Sequence, residues 1–153
     1  MSGLQILWIA HLMATMLMFG LIWMVQVVHY PLFAVVPAEG FEMYARRHVR
    51  QISFIVMPAM LLELLGTFML SLWPEGTAFF AWRGALWWVA AAALGVNWLS
   101  TVAIFMPLHT ALTQKGKNTQ HIRAMVRWNW LRTASWSVRA ALLLYITLHY
   151  WPL

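Results

Sequence analysis

The chain has 153 residues, of which 63% are hydrophobic and only 9% charged, and its mean hydropathy is +0.70. Soluble domains run about 45–50% apolar and about 25% charged, so the composition is that of a membrane protein, and the length allows one integral membrane domain spanning 1–153. The absence of cysteine excludes disulfides, iron–sulfur clusters, thiolate metal sites and cysteine nucleophiles. A net charge of +6 in so apolar a chain speaks of orientation in a membrane rather than of a nucleic-acid partner.

A bilayer core ~30 Å thick takes about 20 apolar residues as helix. Four runs qualify: Leu4 to about Val36, Ile52 to Trp73, Ala85 to Leu108, and about Trp130 to Trp151. The first has no basic leader and no small-residue cleavage motif, so it is expected to be a retained helix rather than a signal peptide. Breakers separate the runs at Pro37-Ala38-Glu39-Gly40, Pro74-Glu75-Gly76 and Gln114-Lys115-Gly116-Lys117-Asn118. With flanks added, the helices are expected at about 4–36, 41–73, 79–113 and 119–151. Such short connections make an all-α, up-down-up-down four-helix transmembrane bundle. The eleven Trp and eleven Met are read as interfacial belts and lipid-facing bulk.

Basic residues set the expected orientation. Arg46, Arg47, Arg50, Lys115, Lys117, Arg123 and Arg127 flank the first and third connections, and only Arg83 lies on the other side. The positive-inside rule then puts both basic loops in the cytoplasm and both termini outside, in a bacterial cytoplasmic (inner) membrane.

Four histidines share the basic end, one per helix: His29, His48, His109 and His121. Taken singly, each is an ordinary interfacial residue; four at one level suggest a shared metal site, with iron or copper (or zinc) as the ion that imidazoles suit. Gln26, Tyr30, Glu42, Tyr44 and Asn129 stand near them in sequence as partners for the outward ring nitrogens. Pro31 and Pro107 are expected to free backbone carbonyls and bend the helix ends so that the side chains converge.

Helix 4 carries a second signal. At ~100° per residue, His121, Trp128, Arg132 and Arg139 fall on one stripe, and arginines in hydrocarbon should face the bundle interior. Glu63, the one acidic residue inside an apolar run, lies 15 residues above His48, while Arg139 lies 18 above His121. The two charges thus differ in depth by about one turn and are expected to pair. Arg132 has no such partner. With Asn129 and Asn97 it could receive an anionic ligand, or it could snorkel to cytoplasmic phosphates. His11 and His149 make a weak second site near the outer end, with interfacial histidines as the simpler reading.

The segments Val25-Gln-Val-Val-His-Tyr-Pro-Leu-Phe33, Arg47-His-Val-Arg-Gln-Ile52 leading to Pro58-Ala-Met60 and Glu63, Pro107-Leu-His-Thr-Ala-Leu112 and Trp128-Asn-Trp-Leu-Arg-Thr133 resemble an uncharacterised bacterial family of four-helix membrane proteins. That family is similar in turn to the anthrone-oxygenase-like domain family, which has an asparagine where this chain has His109. A fainter likeness, through His11, the Arg46 to Met60 segment and the arginine and asparagine opening helix 4, is to the small haem-binding membrane protoporphyrinogen oxidase. These likenesses imply a membrane fold and a redox ligand. The expectation is an integral membrane redox enzyme with a multi-histidine metal centre, acting on an apolar aromatic substrate, neutral or anionic. Two alternatives stand beside it: a carrier binding b-type haem (haem b) or quinone, and a non-catalytic membrane subunit. Lipid, a small apolar substrate and a second copy of the chain as a homo-oligomer are the expected partners.

Overall fold

The computed structural model describes residues 2–72 and 84–150. They form four helices and no strand: α1 Gly3–Leu32, α2 Phe41–Leu72, α3 Ala85–Lys115 and α4 Thr119–Tyr150. The expected turn at Pro74-Glu75-Gly76, Arg83, the start of helix 3 at 79 and Trp151 lie outside the described residues. α1, α2 and α3 are each long and apolar enough to cross a membrane.

Local chemistry explains the helix ends. Ser2 and Gln5 cap α1 reciprocally, each side chain accepting from the other's backbone N–H. α1 stops at Leu32 rather than Val36 because the N–H groups of Phe33, Ala34 and Val35 reach back only three residues. The chain there tightens into turns ahead of Pro37. The Lys117 ammonium donates to the carbonyls of Ala34 (2.8 Å) and Val36 (2.7 Å), joining this end to the turn after α3. Gly116 ends α3 at φ +76°, where a side chain would be strained. The Asn118 side chain accepts from the His121 N–H at 3.0 Å to open α4.

α4 packs along both α1 and α3, and α2 packs on α1. α2 and α3 meet chiefly at the basic end, and a Trp87 Nε1 to Ser71 Oγ hydrogen bond of 3.0 Å joins them again at the other. Along α4 the buried residues Ile122, Met125, Asn129, Arg132, Trp136, Arg139, Leu143 and Ile146 form one seam, with Thr133 and Ala140 buried beside it. The seam has strict 3-4 spacing, a 3.5-residue repeat of the kind that winds helices into a left-handed bundle. The same spacing runs through Trp8, His11, Thr15, Met18, Ile22 and Val25 of α1 and through Trp87, Ala90, Leu94 and Asn97 of α3.

The repeat corrects the stripe expected on α4. At 3.5 residues per turn, separations of 18 and 11 residues overshoot whole turns by about 50°, whereas 7 closes. Arg132 and Arg139 therefore share the seam, while His121 and Trp128 fall on its flank. Trp128 is 42% exposed, with the Arg127 guanidinium 5.7 Å from its ring centre.

Two single π-turns interrupt the seam, Val25–His29 in α1 and Thr101–Phe105 in α3. Each is closed by an N–H reaching back five residues, Tyr30 to Val25 and Met106 to Thr101, and each is followed at once by a proline, Pro31 or Pro107. Proline cannot donate and its ring crowds the preceding turn, so the helix widens there by one residue instead of ending. The inward frame then slips by one. In α1 it passes from Val25 to Tyr30 and Phe33, and in α3 it passes to Phe105 and Leu112, with His109 between them.

Candidate functional site

The slipped frames build a site at the basic end. Tyr30, turned inward, hydrogen-bonds through its hydroxyl to His109 Nε2 at 3.2 Å and stacks on Phe105. His29, displaced to the side facing α2, meets His48, Nε2 to Nδ1 at 2.9 Å. The His48 and His109 rings lie 5.6 Å apart, centre to centre. Phe33 packs edge-on against both His29 and His48 at 5.2 Å and fixes their planes.

Three of the four histidines expected at this level thus come together. His121 does not join them. Half-buried on the flank of α4, it lies one position before the seam residue Ile122, and its Nδ1 has no hydrogen-bond partner.

Of the five residues expected to orient the rings, only Tyr30 bonds a histidine. Gln26 instead donates to the Val126 carbonyl (3.1 Å) and accepts from Asn129 Nδ2 (3.0 Å), which ties α1 to α4. Tyr44 is one layer out, edge-on to Phe33 at 5.4 Å. Glu42 is exposed and faces Arg46 at 3.8 Å along its own helix, a geometry worth little in water.

Between α2 and α3 a cleft of about 370 Å³ opens sideways, with the exposed Met57 and Met106 among its lining. Apolar side chains such as Ile22, Ile52 and Val56 make its walls, and Tyr30, His48, His109 and Arg132 line it together with Ser53, Thr101, Thr110 and Thr113. Arg132 does not snorkel. It is 6% exposed, its guanidinium lies 4.6 Å from the Phe105 ring centre, and its Nε has no hydrogen-bond partner. Among the described residues, no carboxylate lies within ion-pair distance of it. Asn129 and Asn97, expected beside it, are fully buried but are not among the residues lining the cleft. Asn97 has no partner for either side-chain polar atom.

Toward the other end, Glu63 and Arg139 meet, as their shared depth implied. Both are fully buried, with Nε to Oε1 at 3.1 Å. Three further acceptors surround the guanidinium: the Ala90 carbonyl (2.6 Å), Thr67 Oγ1 (2.9 Å) and His11 Nε2 (2.8 Å). Thr15 donates to the same Glu63 oxygen. His11 is therefore no interfacial residue. It is 0% exposed, packed against Gly66 and between Trp8 and Trp87. His149, expected to share a site with it, is exposed and stacks on Tyr145 at 4.0 Å. Thr15 and Thr67 are the partners the sequence reading passed over. Each stands four residues after a polar group on its own helix, His11 and Glu63, a spacing that puts them on the same face.

The donor atoms of His29, His48 and His109 suit a transition metal, but the nitrogens of the first two are engaged with each other. Two imidazoles on one tetrahedral ion, each at ~2.0–2.1 Å, hold their nitrogens roughly 3.3 Å apart. The observed 2.9 Å is a direct hydrogen bond. Among the described residues no three His, Cys, Asp or Glu side chains are arranged to chelate one ion. As arranged, the trio can pass protons, and it can take a metal only after the His29–His48 contact opens by a few tenths of an ångström. Compared with known proteins, the chain matches no protein family, no curated protein and no solved structure.

Proposed function

We propose that the chain is an integral membrane redox protein that draws an apolar substrate from the bilayer into the cleft between α2 and α3. The observation that carries this reading is the cleft itself, mostly apolar in its lining, with Tyr30, His48, His109 and Arg132 also lining it. Small-molecule sites have this composition, a mostly apolar surface with a few converging polar groups. The sideways opening past Met57 and Met106 suits a ligand that partitions into lipid.

His48 Nδ1 is committed to His29 and His109 Nε2 to Tyr30, which leaves His48 Nε2 and His109 Nδ1 for the substrate's reacting group. His29, half-buried at the edge, is placed to exchange protons between His48 and the aqueous face. Iron or copper on His29, His48 and His109 would supply the one-electron chemistry that side chains lack. In this reading α4 is the fourth membrane span, its two buried arginines turned inward. The basic loops then face the cytoplasm of a bacterial inner membrane, with both termini outside.

Elemental analysis and a visible spectrum of the purified protein test the redox reading. About one iron or copper per chain is expected, lost in His48→Gln and His109→Gln and kept in His121→Gln. A Soret band would replace this reading with a b-type haem carrier. Neither metal nor chromophore after reconstitution with both ions would leave the redox assignment without a centre.

A further inference from the structure

The two buried arginines of α4 make an internal comparison. They sit seven residues apart on one seam, so they face the same interior. Arg139 is neutralised by Glu63 and has oxygen or nitrogen acceptors on three other groups. Arg132 has far less: the Tyr30 hydroxyl as a side-chain partner, no carboxylate within reach among the described residues, an unpartnered Nε, and an aromatic face beneath its guanidinium. A guanidinium does not shed its proton, so a buried one without an anion is a standing cost. It lines the cleft, together with Tyr30.

We propose that the cleft binds a single-tailed apolar carboxylate, with its head on Arg132 and Tyr30 and its tail along α2 toward Met57. This rests on the reading of the cleft as a ligand site but not on the presence of a metal. A carboxylate is the planar anion that a guanidinium meets through paired hydrogen bonds. From His48 to Met57 the wall is nine residues of helix, ~14 Å at ~1.5 Å per residue, a length suited to an extended chain or fused rings. At about 370 Å³ the space suits one chain rather than the two of a phospholipid. With the head on Arg132, the first carbons beyond it lie alongside His48 and His109. Chemistry would then fall close to the carboxylate rather than at the far end of the tail.

The test uses metal-free full-length protein in neutral phosphatidylcholine nanodiscs, with stearic acid spin-labelled near its methyl end as the probe and its methyl ester as the control. The acid should show a saturable immobilised population of about one per chain, with at least tenfold preference over the ester. That preference should survive 0.5 M salt, which screens the exposed Arg46, Arg47 and Arg50 but not a buried charge. In Arg132→Gln it should collapse to within about twofold, and in Arg132→Lys it should persist in part. The comparison of acid with ester in the unaltered protein stands even if Arg132→Gln does not fold. Equal binding of acid and ester, a preference abolished by salt, a preference intact in Arg132→Gln, or no saturable binding would each overturn the proposal. Displacement of the probe by phosphatidylglycerol added as bulk lipid would also overturn it, by assigning the Arg132 site to a phospholipid headgroup. Loss of the metal-dependent reading leaves these outcomes unchanged, because no metal is present.

Discussion

Substituting Glu63 alone should cost more than substituting it together with Arg139. Both side chains are fully buried, their Nε–Oε1 distance is 3.1 Å, and among the described residues the carboxylate is the only anion against that guanidinium. Breaking a buried pair by removing one partner costs about 3–5 kcal/mol, chiefly through the charge left behind. In Glu63→Gln the Arg139 cation keeps its bonds to the Ala90 carbonyl, Thr67 and His11 but has no counter-charge and cannot shed its own. In Arg139→Gln the stranded carboxyl can take up a proton, so this variant should lose less, and its loss should shrink as pH falls. The double variant removes both charges and should recover at least about 2 kcal/mol relative to the sum of the singles. Unfolding in mixed micelles with increasing SDS, followed by the fluorescence of the chain's eleven tryptophans, reads all four proteins on one scale. Losses that add to within about 0.5 kcal/mol would refute the pairing as an energetic unit, whatever the distance between the groups.

Gly66→Ala should destabilise by about 1–3 kcal/mol, because its new Cβ would come 2.8 Å from His11 Cδ2 and His11 is held by Arg139 and Thr67. Gly20→Ala and Gly95→Ala, where a Cβ meets nothing within 4 Å, should be neutral or stabilising by up to about 1 kcal/mol in the same SDS titration. Lys117→Met frees the carbonyls of Ala34 and Val36, and hydrogen exchange should accelerate in residues 33–40 while the seam residues of α4 keep their protection. Reporter fusions at the C-terminus should be active only when the reporter works outside the cytoplasm; activity of a cytoplasmic reporter there would reverse the proposed orientation.

The sequence reading succeeded where only depth was needed and failed where rotation about the helix axis mattered. Counting residues from the basic end brought Glu63 and Arg139 to one level, and their pairing follows whichever repeat the helices use. Assigning His121 to the same stripe as Arg139 needed an angle. An 18-residue span is five whole turns at 3.6 residues per turn but overshoots by about 50° in a bundle wound at 3.5. His29 and His109 were located by level alone, and their convergence depends on the widened turns before Pro31 and Pro107, which no local pattern announces beyond the prolines themselves. His11 was misjudged for another reason. Its position eleven residues from the N-terminus looks interfacial, but the interior of the bundle offered it Thr67 and Arg139, and those partners come from α2 and α4.

The two π-turns also bear on how this chain can vary over evolutionary time. Helices in a packed bundle tolerate almost no change of length, because gaining or losing one residue turns everything beyond it by about 100°. Residues 25–29 and 101–105 are the exception. Each already holds one residue more than the seam requires, so dropping one there would leave Tyr30 or His109 facing inward on an ordinary helix, with the site's geometry narrowed but not scrambled. Homologues should therefore differ in length at these two places inside membrane-spanning segments, where alignments seldom open a gap, and not only in the loops, where gaps are expected.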